Sequence, residues 1–504
     1  MHHKTAIVYK KAELAPASPS DFELPSSGRL SADNRWVKMA ELIPWSEFEV
    51  EYAKNFPTEM GAPAKSFRMA LGALIIKEKL GISDRETVEQ IRENPYLQYF
   101  IGQSSYSNEL PFDPSLLVHF RQRISGNLIK KVNERLVEKM RSITPVKTEK
   151  KKDSDAKNES SNRGQLIIDA TCAPADITYP TDLGLLNKAR VHTEKIIDIL
   201  YKQIKSKTNK KPRTYRNLAR KDYLAVAKQR RPTRNKRRQA IKKQLQYIKR
   251  NLVYIEQLIE LGATLKSLNK KQYKTLLVLT EVSRQQQWLF DNKKQSIEDR
   301  IVSLSQPHIR PIVRGKAGKS VEFGAKISAS CFEGYVFLDR ISWDNFNESG
   351  DLKAQVEAYH RFTGYYPESV HADRIYRTRE NRAWCKEKGI RISGPPLGRP
   401  PANVSKENKK QAKEDEKIRQ AIEGKFGQGK RRFSLNLVMT KLENTSGTAI
   451  AITFLVMNLS TWWHRVFCVF LWGSGKTMPV FGFNIIGAYI SLKMRQEKLI
   501  FNSG

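Results

Sequence analysis

The sequence predicts a mixed α/β protein that contains a large helical insertion and follows an all-helical domain. Residues 30–143 have helical periodicity, short apolar runs typical of strands begin at residue 165, and a long basic helical pattern separates the first run from the others. A chain of 504 residues is too long for one ordinary core. We therefore expect an N-terminal tail (1–29), a helical domain (30–143), a polar linker (144–164), a mixed α/β domain (165–470) with its insertion at 185–300, and a C-terminal extension (471–504).

The net charge of the chain indicates what kind of molecule it binds. A formal net charge of +37 and a pI near 9.9 favour a polyanion, either nucleic acid or an anionic membrane surface. The four cysteines lack CxxC or Cys/His spacing, which argues against a zinc site and a disulfide framework. The first residues contain no apolar signal segment, so the cytoplasm is the expected compartment.

Local signals divide residues 30–143 into short helices. Lys65–Lys79 has a broad apolar face, Ser83–Glu86 reads as a capping box for a helix that ends at Asn94–Pro95, and Asp113–Pro114 offers an N-cap and an N1 proline for a further helix. Such helices with basic exposed faces fit a helix-turn-helix reader of DNA, or equally a plain helical packing domain. The polar stretch from Pro145 to Gly164 reads as a linker.

A short apolar strand is predicted at residues 165–172. Leu166, Ile167 and Ile168 are unalternated and β-prone, and we expect Asp169 to emerge near the edge of this strand. A carboxylate is rarely buried without a partner, so Asp169 indicates a metal, a cation or the mouth of a site; capping of a turn is the alternative.

The insertion at residues 185–300 carries most of the positive charge. Residues 188–250 hold 23 Lys and Arg against 3 Asp and Glu. Apolar residues from Ile241 to Ile259 recur at steps of 4 and 3, and Ile196–Ile204 offers a facing stripe, so we predict an antiparallel helical hairpin. Its basic outer face is expected to contact DNA. The candidate contacts are Arg230, Arg231, Arg234, Lys236, Arg237 and Arg238.

After Pro311 the pattern alternates between strands and helices. Val321–Ala329 and Tyr335–Trp343 read as a hairpin, and a short strand at residues 368–373 again ends on a carboxylate, Asp373. A helix predicted at Lys417–Phe426 carries Glu423. Two apolar runs, at residues 448–463 and 479–492, fall short of the roughly 20 clean apolar residues of a membrane span, so buried helices and no membrane contact are expected.

Asp169, Asp373 and Glu423 are predicted to meet at one edge of the sheet. Unpaired carboxylates at that range repel each other unless a divalent cation neutralises them. Hard oxygen ligands without a Cys/His cluster favour Mg²⁺, with Mn²⁺ as a substitute. Two such ions would support in-line phosphoryl transfer. His371 is either a further ligand or a packed strand residue, and Asp176 or Asp182 would replace Asp169 if the register differs.

Several blocks resemble a known family in the family's own order. The stretches at 169–172 with 179–183, at 371–376 and at 421–431 resemble the DDE transposases of bacterial insertion sequences. Residues 71–124, with Gly81–Glu86, Asn94–Tyr96 and Pro111–Ser115, resemble their InsH-type N-terminal domain. The resemblance covers about residues 30–470.

This resemblance implies an RNase H-like catalytic fold in which Asp169, Asp373 and Glu423 are the catalytic, metal-binding triad. In a related pattern a Tyr, an Arg and a Lys flank the Glu. Arg419 and Lys430 match the Arg and the Lys and are expected to contact DNA phosphates, whereas Glu416 stands in the Tyr position. An ordinary ion pair with Glu423 is the alternative for Arg419. Three glycines between 424 and 429 disfavour helix, so the helix is expected to end before Lys430.

The implied activity is Mg²⁺-dependent DNA transposition in the bacterial cytoplasm, close to the nucleoid. The expected partners are the terminal inverted repeats of the element, target DNA, and further copies of the chain in a homodimer or higher oligomer. A nuclease or resolvase without strand transfer, and a non-catalytic DNA-binding derivative, remain the alternatives.

Overall fold

A computed structural model of the chain describes residues 7–8, 18–56, 62–143, 162–208, 210–316, 319–394 and 405–473. Most of the predicted linker (144–161), the second apolar run (479–492) and the C-terminal residues from 474 onward lie outside the described residues. The predicted domain boundaries therefore stay predictions, while most predicted helices and strands can be compared directly.

The region before residue 144 is helical, as predicted. Two short strands, β1 (Ile7–Val8) and β2 (Ala62–Pro63), pair in parallel beside it. The helices are α1 (Arg35–Leu42), α2 (Trp45–Ala53), α3 (Phe67–Leu80), α4 (Asp84–Glu93), α5 (Pro95–Phe100), α6 (Leu116–Arg123) and α7 (Gly126–Ile143).

Two predicted helix starts need correction. Ser83 caps α4 by accepting from the Glu86 amide, but the Glu86 carboxylate accepts from the Gln90 side chain at 3.0 Å instead of closing a capping box. Helix α6 begins at Leu116 and not at Pro114, because the Asp113 carboxylate accepts from the Ser115 amide and holds a turn first.

One mixed sheet forms the centre of the rest of the described chain. Its strands are β3 (Gln165–Pro174), β4 (Arg310–Lys316), β5 (Lys319–Phe332), β6 (Tyr335–Ser342), β7 (Ser369–Ala372) and β8 (Arg391–Ile392). The order is β4-β5-β3-β7-β8, with β6 also paired to β5. Strand β5 is antiparallel to β3, β4 and β6, whereas β3, β7 and β8 are parallel. The predicted hairpin is β5–β6, and β4 was not predicted.

The described residues of the insertion form four α-helices, so the prediction of a simple hairpin was wrong. They are α8 (Asp182–Ile204), α9 (Arg216–Ala227), α10 (Arg234–Glu260) and α11 (Lys270–Asp291). The two predicted stripes do face each other, because Ile197 and Leu200 of α8 pack in one buried cluster with Leu245 and Ile248 of α10. The end of the seam is not buried, since Ile259 is 37% exposed.

The remaining helices cover the two faces of the sheet: α12 (Leu352–Thr363), α13 (Arg379–Glu387), α14 (Lys406–Arg432) and α15 (Glu443–Gly473). Helix α14 exceeds the predicted 417–426 at both ends and continues through its three glycines. A Cβ on Gly429 would lie 3.0 Å from a methyl of Leu435 and 3.2 Å from the Met457 sulfur. The glycine permits this close packing, which offsets its low helix propensity.

One hydrophobic core joins the N-terminal helices, one face of the sheet, α14 and α15. Asn458 of α15 fixes this junction, because its amide donates to the Asn133 side chain of α7 and to the Val336 carbonyl of β6. Residues 450–460 of α15 are all buried, as expected for the first apolar run. In the described residues no helix is long and apolar enough to span a membrane.

Candidate active site

Strand register brings Asp169 and Asp373 to the same position along the sheet. The parallel pairing of β3 with β7 ends at the pair Ile168 and Ala372; Asp169 is the next residue of β3, and Asp373 is the first residue after β7. Strand β3 continues to Pro174 on β5 alone, so Asp169 lies in the middle of a strand and not near its edge as predicted. The site opens where β7 ends and β3 loses its parallel neighbour.

Helix α14 adds the third carboxylate. It packs across β3 and β7 and buries Ile422 and Phe426, which fixes the rotation of the helix about its axis. Glu423 then lies in a cleft of about 570 Å³ that Asp169, Asp373 and Arg419 also line. Asp176 and Asp182, the alternatives to Asp169, do not line this cleft. Asp182 instead accepts from Gln286 and Arg300 near the start of α8.

The surroundings of Asp169 disfavour its charged form. The pKa of Asp169 is raised from 3.8 to about 6, mainly by burial and also by the charges of Asp373 and Glu423, while the hydrogen bond from the Ala170 amide and the charge of Arg419 act in the opposite direction. Asp373 is exposed and accepts from the Arg374 amide at 2.6 Å. A carboxyl group in this environment is stabilised as an anion by a nearby cation.

Arg419 is the cation that the cleft itself supplies. It donates to Glu423 at 2.8 Å and makes two bonds to Glu416, at 2.7 and 3.2 Å. Its side chain is 17% exposed, whereas about half of each glutamate side chain is exposed. These contacts hold the pKa of Arg419 above its usual range. The i, i+4 ion pair that was the alternative for Arg419 is therefore present, and Glu416 has a structural role that the sequence did not predict.

The donor set fits a divalent cation, although the carboxylates are not gathered around one point. Within the described ranges no group of three or more His, Cys, Asp or Glu side chains is close enough to hold a metal ion. Glu423 is engaged by Arg419, while Asp169 carries a raised pKa next to Asp373. Hard oxygen donors of this kind suit Mg²⁺ or Mn²⁺.

His371 is a packed strand residue and not a further ligand. It is fully buried, its Nε2 bonds with the Ser369 hydroxyl at 3.0 Å, and its Nδ1 lies 3.6 Å from Asp415. Asp415 also accepts two bonds from Arg391, both of 2.8 Å. This cluster ties α14 to β7 and β8, one turn of helix before Arg419. The sequence prediction missed Asp415 because it began the helix at residue 417.

The predicted DNA contacts lie on two different elements. Arg230 and Arg231 lie between α9 and α10, and the other four candidates of the insertion are in the first two turns of α10. All six are exposed or half-buried, and the guanidinium of Arg238 lies 3.9 Å over the Phe290 ring. Lys430 is on α14 and half-buried, so the helix does reach it.

The far wall of the cleft was not predicted at all. Lys326 of β5 donates to the Phe346 carbonyl at 2.5 Å and pairs with Glu348, and all three residues line the cleft. No motif marks them, because they come together through the β5–β6 pairing and the turn that follows.

Comparison with known proteins identifies the class. The family model described as "Transposase DDE domain" matches residues 370–460, which include Asp373 and Glu423, and that described as "Transposase domain (DUF772)" matches residues 26–123. A Rhizobium meliloti protein named "Uncharacterized protein ORF8 in nfe locus" is 32% identical over 153 residues, 30% of this chain and 68% of that protein. No solved structure matches the chain.

These matches define a transposase. More narrowly, the chain belongs to the DDE transposases of insertion sequences, as the sequence resemblance implied.

Proposed function

We propose that this protein is a Mg²⁺-dependent transposase that cleaves DNA at the ends of its insertion sequence and joins the freed 3′-hydroxyls to target DNA. The observation that carries the proposal is the shared position of Asp169 and Asp373 at the end of the β3–β7 pairing, facing the same cleft as Glu423. The same proposal takes the sheet to be RNase H-like, which the antiparallel β5–β6 pair beside the parallel β3, β7 and β8 supports.

Asp169, Asp373 and Glu423 are the residues that would hold the metal. When bound, divalent ions activate the attacking hydroxyl and stabilise the departing oxygen of an in-line phosphoryl transfer. Arg419 balances the charge of Glu423 in the free protein, and its guanidinium has the fork geometry that suits a DNA phosphate. Lys326 on the opposite wall adds a second positive charge to the cleft.

DNA would be held by the basic insertion and by the N-terminal helices. The candidate contacts of the insertion are exposed or half-buried, as phosphate contacts must be. Because two ends must be brought together before joining, a homodimer or a larger assembly on DNA is part of the proposal, in the cytoplasm of a bacterial cell. The helix-turn-helix interpretation of the N-terminal region remains a prediction.

The decisive experiment measures cleavage and joining on DNA that carries the flanks of the gene, with Mg²⁺ or with EDTA. Asp373→Asn should lower both rates by roughly 10³-fold, because a metal ligand is lost. The matched control is Asp176→Asn, which removes a carboxylate outside the cleft and should retain wild-type rates.

The outcomes separate the alternatives. Joined products that require both Mg²⁺ and Asp373 would support a transposase, whereas cleavage without joining would indicate a nuclease or resolvase. Tight DNA binding without any cleavage would indicate a non-catalytic derivative. Equal cleavage by Asp373→Asn and wild type would refute the assignment of the carboxylates.

A further inference from the structure

A group of positive charges lies where α15 packs against α3 and α14, and Arg35 of α1 adds to it. Arg35, Lys79, Arg432 and His464 come from these four helices, and the charges of Arg35 and Arg432 both act on Lys79. The charges of Arg432 and Lys79 in turn act on His464. We call these four residues the cationic patch.

The charges of the cationic patch are not balanced by ion pairs within the described part of the chain. Among the described residues, no Asp or Glu forms an ion pair with any of its four members. The Lys79 ammonium donates to the Ser460 hydroxyl at 2.6 Å, and the nearby Lys425 ammonium donates to the Thr461 hydroxyl at 2.7 Å. Neutral hydroxyls satisfy the donors without balancing the charge.

The free protein is destabilised by this arrangement. Burial, together with the charges of Arg35 and Arg432, lowers the pKa of Lys79 to about 8. Burial and three neighbouring cations also lower the pKa of His464. Like charges that are held together without ion pairs oppose folding, which favours a role for them other than stabilising the fold.

Helix dipoles account for only part of this charge. Lys79 and Arg432 lie in the last turns of α3 and α14, and each helix C-terminus carries roughly half a negative charge. Two such termini supply about one negative charge. The patch carries three full positive charges besides His464, and Arg35 and His464 lie on other helices.

The patch faces away from the carboxylate cleft. Arg432 follows Glu423 by nine residues on one continuous helix, which corresponds to about 13 Å along the axis and about half a turn around it. Lys425 precedes Arg432 by seven residues and shares its face. A duplex in the cleft would therefore approach α14 from the side opposite to the patch.

We propose that Arg35, Lys79, Arg432 and His464 form a second DNA-backbone contact surface, on the side of α14 turned away from Glu423. The inference rests on the proposed function, because it assumes that DNA is the substrate. A stretch of duplex other than the one in the cleft would then contact the junction between the N-terminal helices and α14. The Glu78 carboxylate at this junction accepts from Ser434 and Thr453 and forms no ion pair with the patch, so the phosphates of that duplex would supply its counter-charge.

The test compares DNA affinity over a range of salt concentrations for four proteins, with a random 30-base-pair duplex as the probe. The patch variant Arg35→Gln/Arg432→Gln removes two exposed charges. The control Arg361→Gln/Lys409→Gln removes two exposed charges from α12 and from the far end of α14. The insertion variant Arg234→Gln/Arg237→Gln tests the surface already proposed.

The slope of log affinity against log salt should become shallower by about 2 for the patch variant, since each lost phosphate contact removes about 0.9. The control variant should keep nearly the wild-type slope. The thermal midpoint of the patch variant at low salt should equal or exceed that of wild type, because repulsion is relieved. An ion-pairing role for these arginines would lower the midpoint.

Failure of the inference is distinct from failure of the proposed function. If the slope of log affinity against log salt becomes shallower for the insertion variant but is the same as wild type for the patch and control variants, the patch does not contact DNA and the proposed function stands. If wild type itself binds the duplex without salt dependence, both proposals fall.

Discussion

Two segments of α14, residues 415–423 and residues 425–432, differ in whether their charges are paired. From Asp415 to Glu423, the charges that face the sheet and the cleft have opposite partners: Arg391 for Asp415, and Arg419 for both Glu416 and Glu423. Beyond Glu423, Lys425 bonds to a hydroxyl and Arg432 lies among other cations. Ion pairing thus fixes the half of the helix that carries the candidate ligand, and the other half keeps positive charge available for a polyanion.

Removing the Asp415 carboxylate, which ties α14 to β7 and β8, should have the largest effect on the free energy of unfolding. Asp415→Asn leaves Arg391 and His371 without their anionic partner, and we expect a loss of about 2 kcal/mol because Arg391 is partly exposed. Urea unfolding at pH 7 measures it. The neighbouring Glu414→Gln, at an exposed position, serves as the control and should change stability by less than about 0.5 kcal/mol.

The Asp415 carboxylate also makes the stability of the fold depend on pH. Arg391 and Gln411 hold the pKa of Asp415 below 3.8 despite its burial. The folded state therefore gains stability from this group above the unfolded pKa and loses it as the pH falls through the lower folded value. Acid unfolding of Asp415→Asn should lack this component below about pH 4.

The cleft contains one charge whose neutralisation should stabilise the protein. The pKa of Asp169 rises from 3.8 to about 6, so the folded state binds the extra proton and its stability falls as the pH rises through this window. Asp169→Asn should therefore be more stable than wild type by about 2 kcal/mol at pH 7, and equally stable below pH 4, while losing cleavage activity. Thermal unfolding at both pH values tests this. An Asn variant that is less stable at pH 7 would contradict it.

Addition of Mg²⁺ sharpens that prediction. Wild type should gain thermal stability with Mg²⁺ because the ion favours the charged form of Asp169, and EDTA should reverse the gain. Asp169→Asn should gain little. An equal gain in both proteins would assign the effect to a site elsewhere.

Glu416→Gln should have the smallest effect on stability, about 0.5 kcal/mol, because the glutamate is half-exposed. Its expected signature lies in DNA binding, since Arg419 would keep only Glu423 as a partner and accept a phosphate more readily. Filter binding to a duplex in EDTA should show tighter binding than wild type. Unchanged binding would mean that Glu416 does not restrain Arg419.

Much of the site could be predicted because its residues lie in short blocks with a recognisable order. Prediction from such blocks fails where tertiary packing decides the structure: the close contact of Gly429 with Leu435 and Met457 keeps α14 helical where propensity predicted its end. Strand β4 was missed because Pro311 and three basic residues obscure any strand pattern. The insertion was simplified to a hairpin, although prolines at 212 and 232 separate its helices.

The four-residue pairing of β3 with β7 also bears on how such a gene decays. Side chains alternate between the faces of a strand, so loss of one codon between Gln165 and Ile168 would put the residues before the deletion in the wrong register against β7 and disrupt the pairing that ends beside Asp169 and Asp373. All three carboxylate codons would still be present. A genomic copy can therefore be extinct as a mobile element while its signature residues read as intact, and the length of this strand is the more informative character for telling living copies from relics.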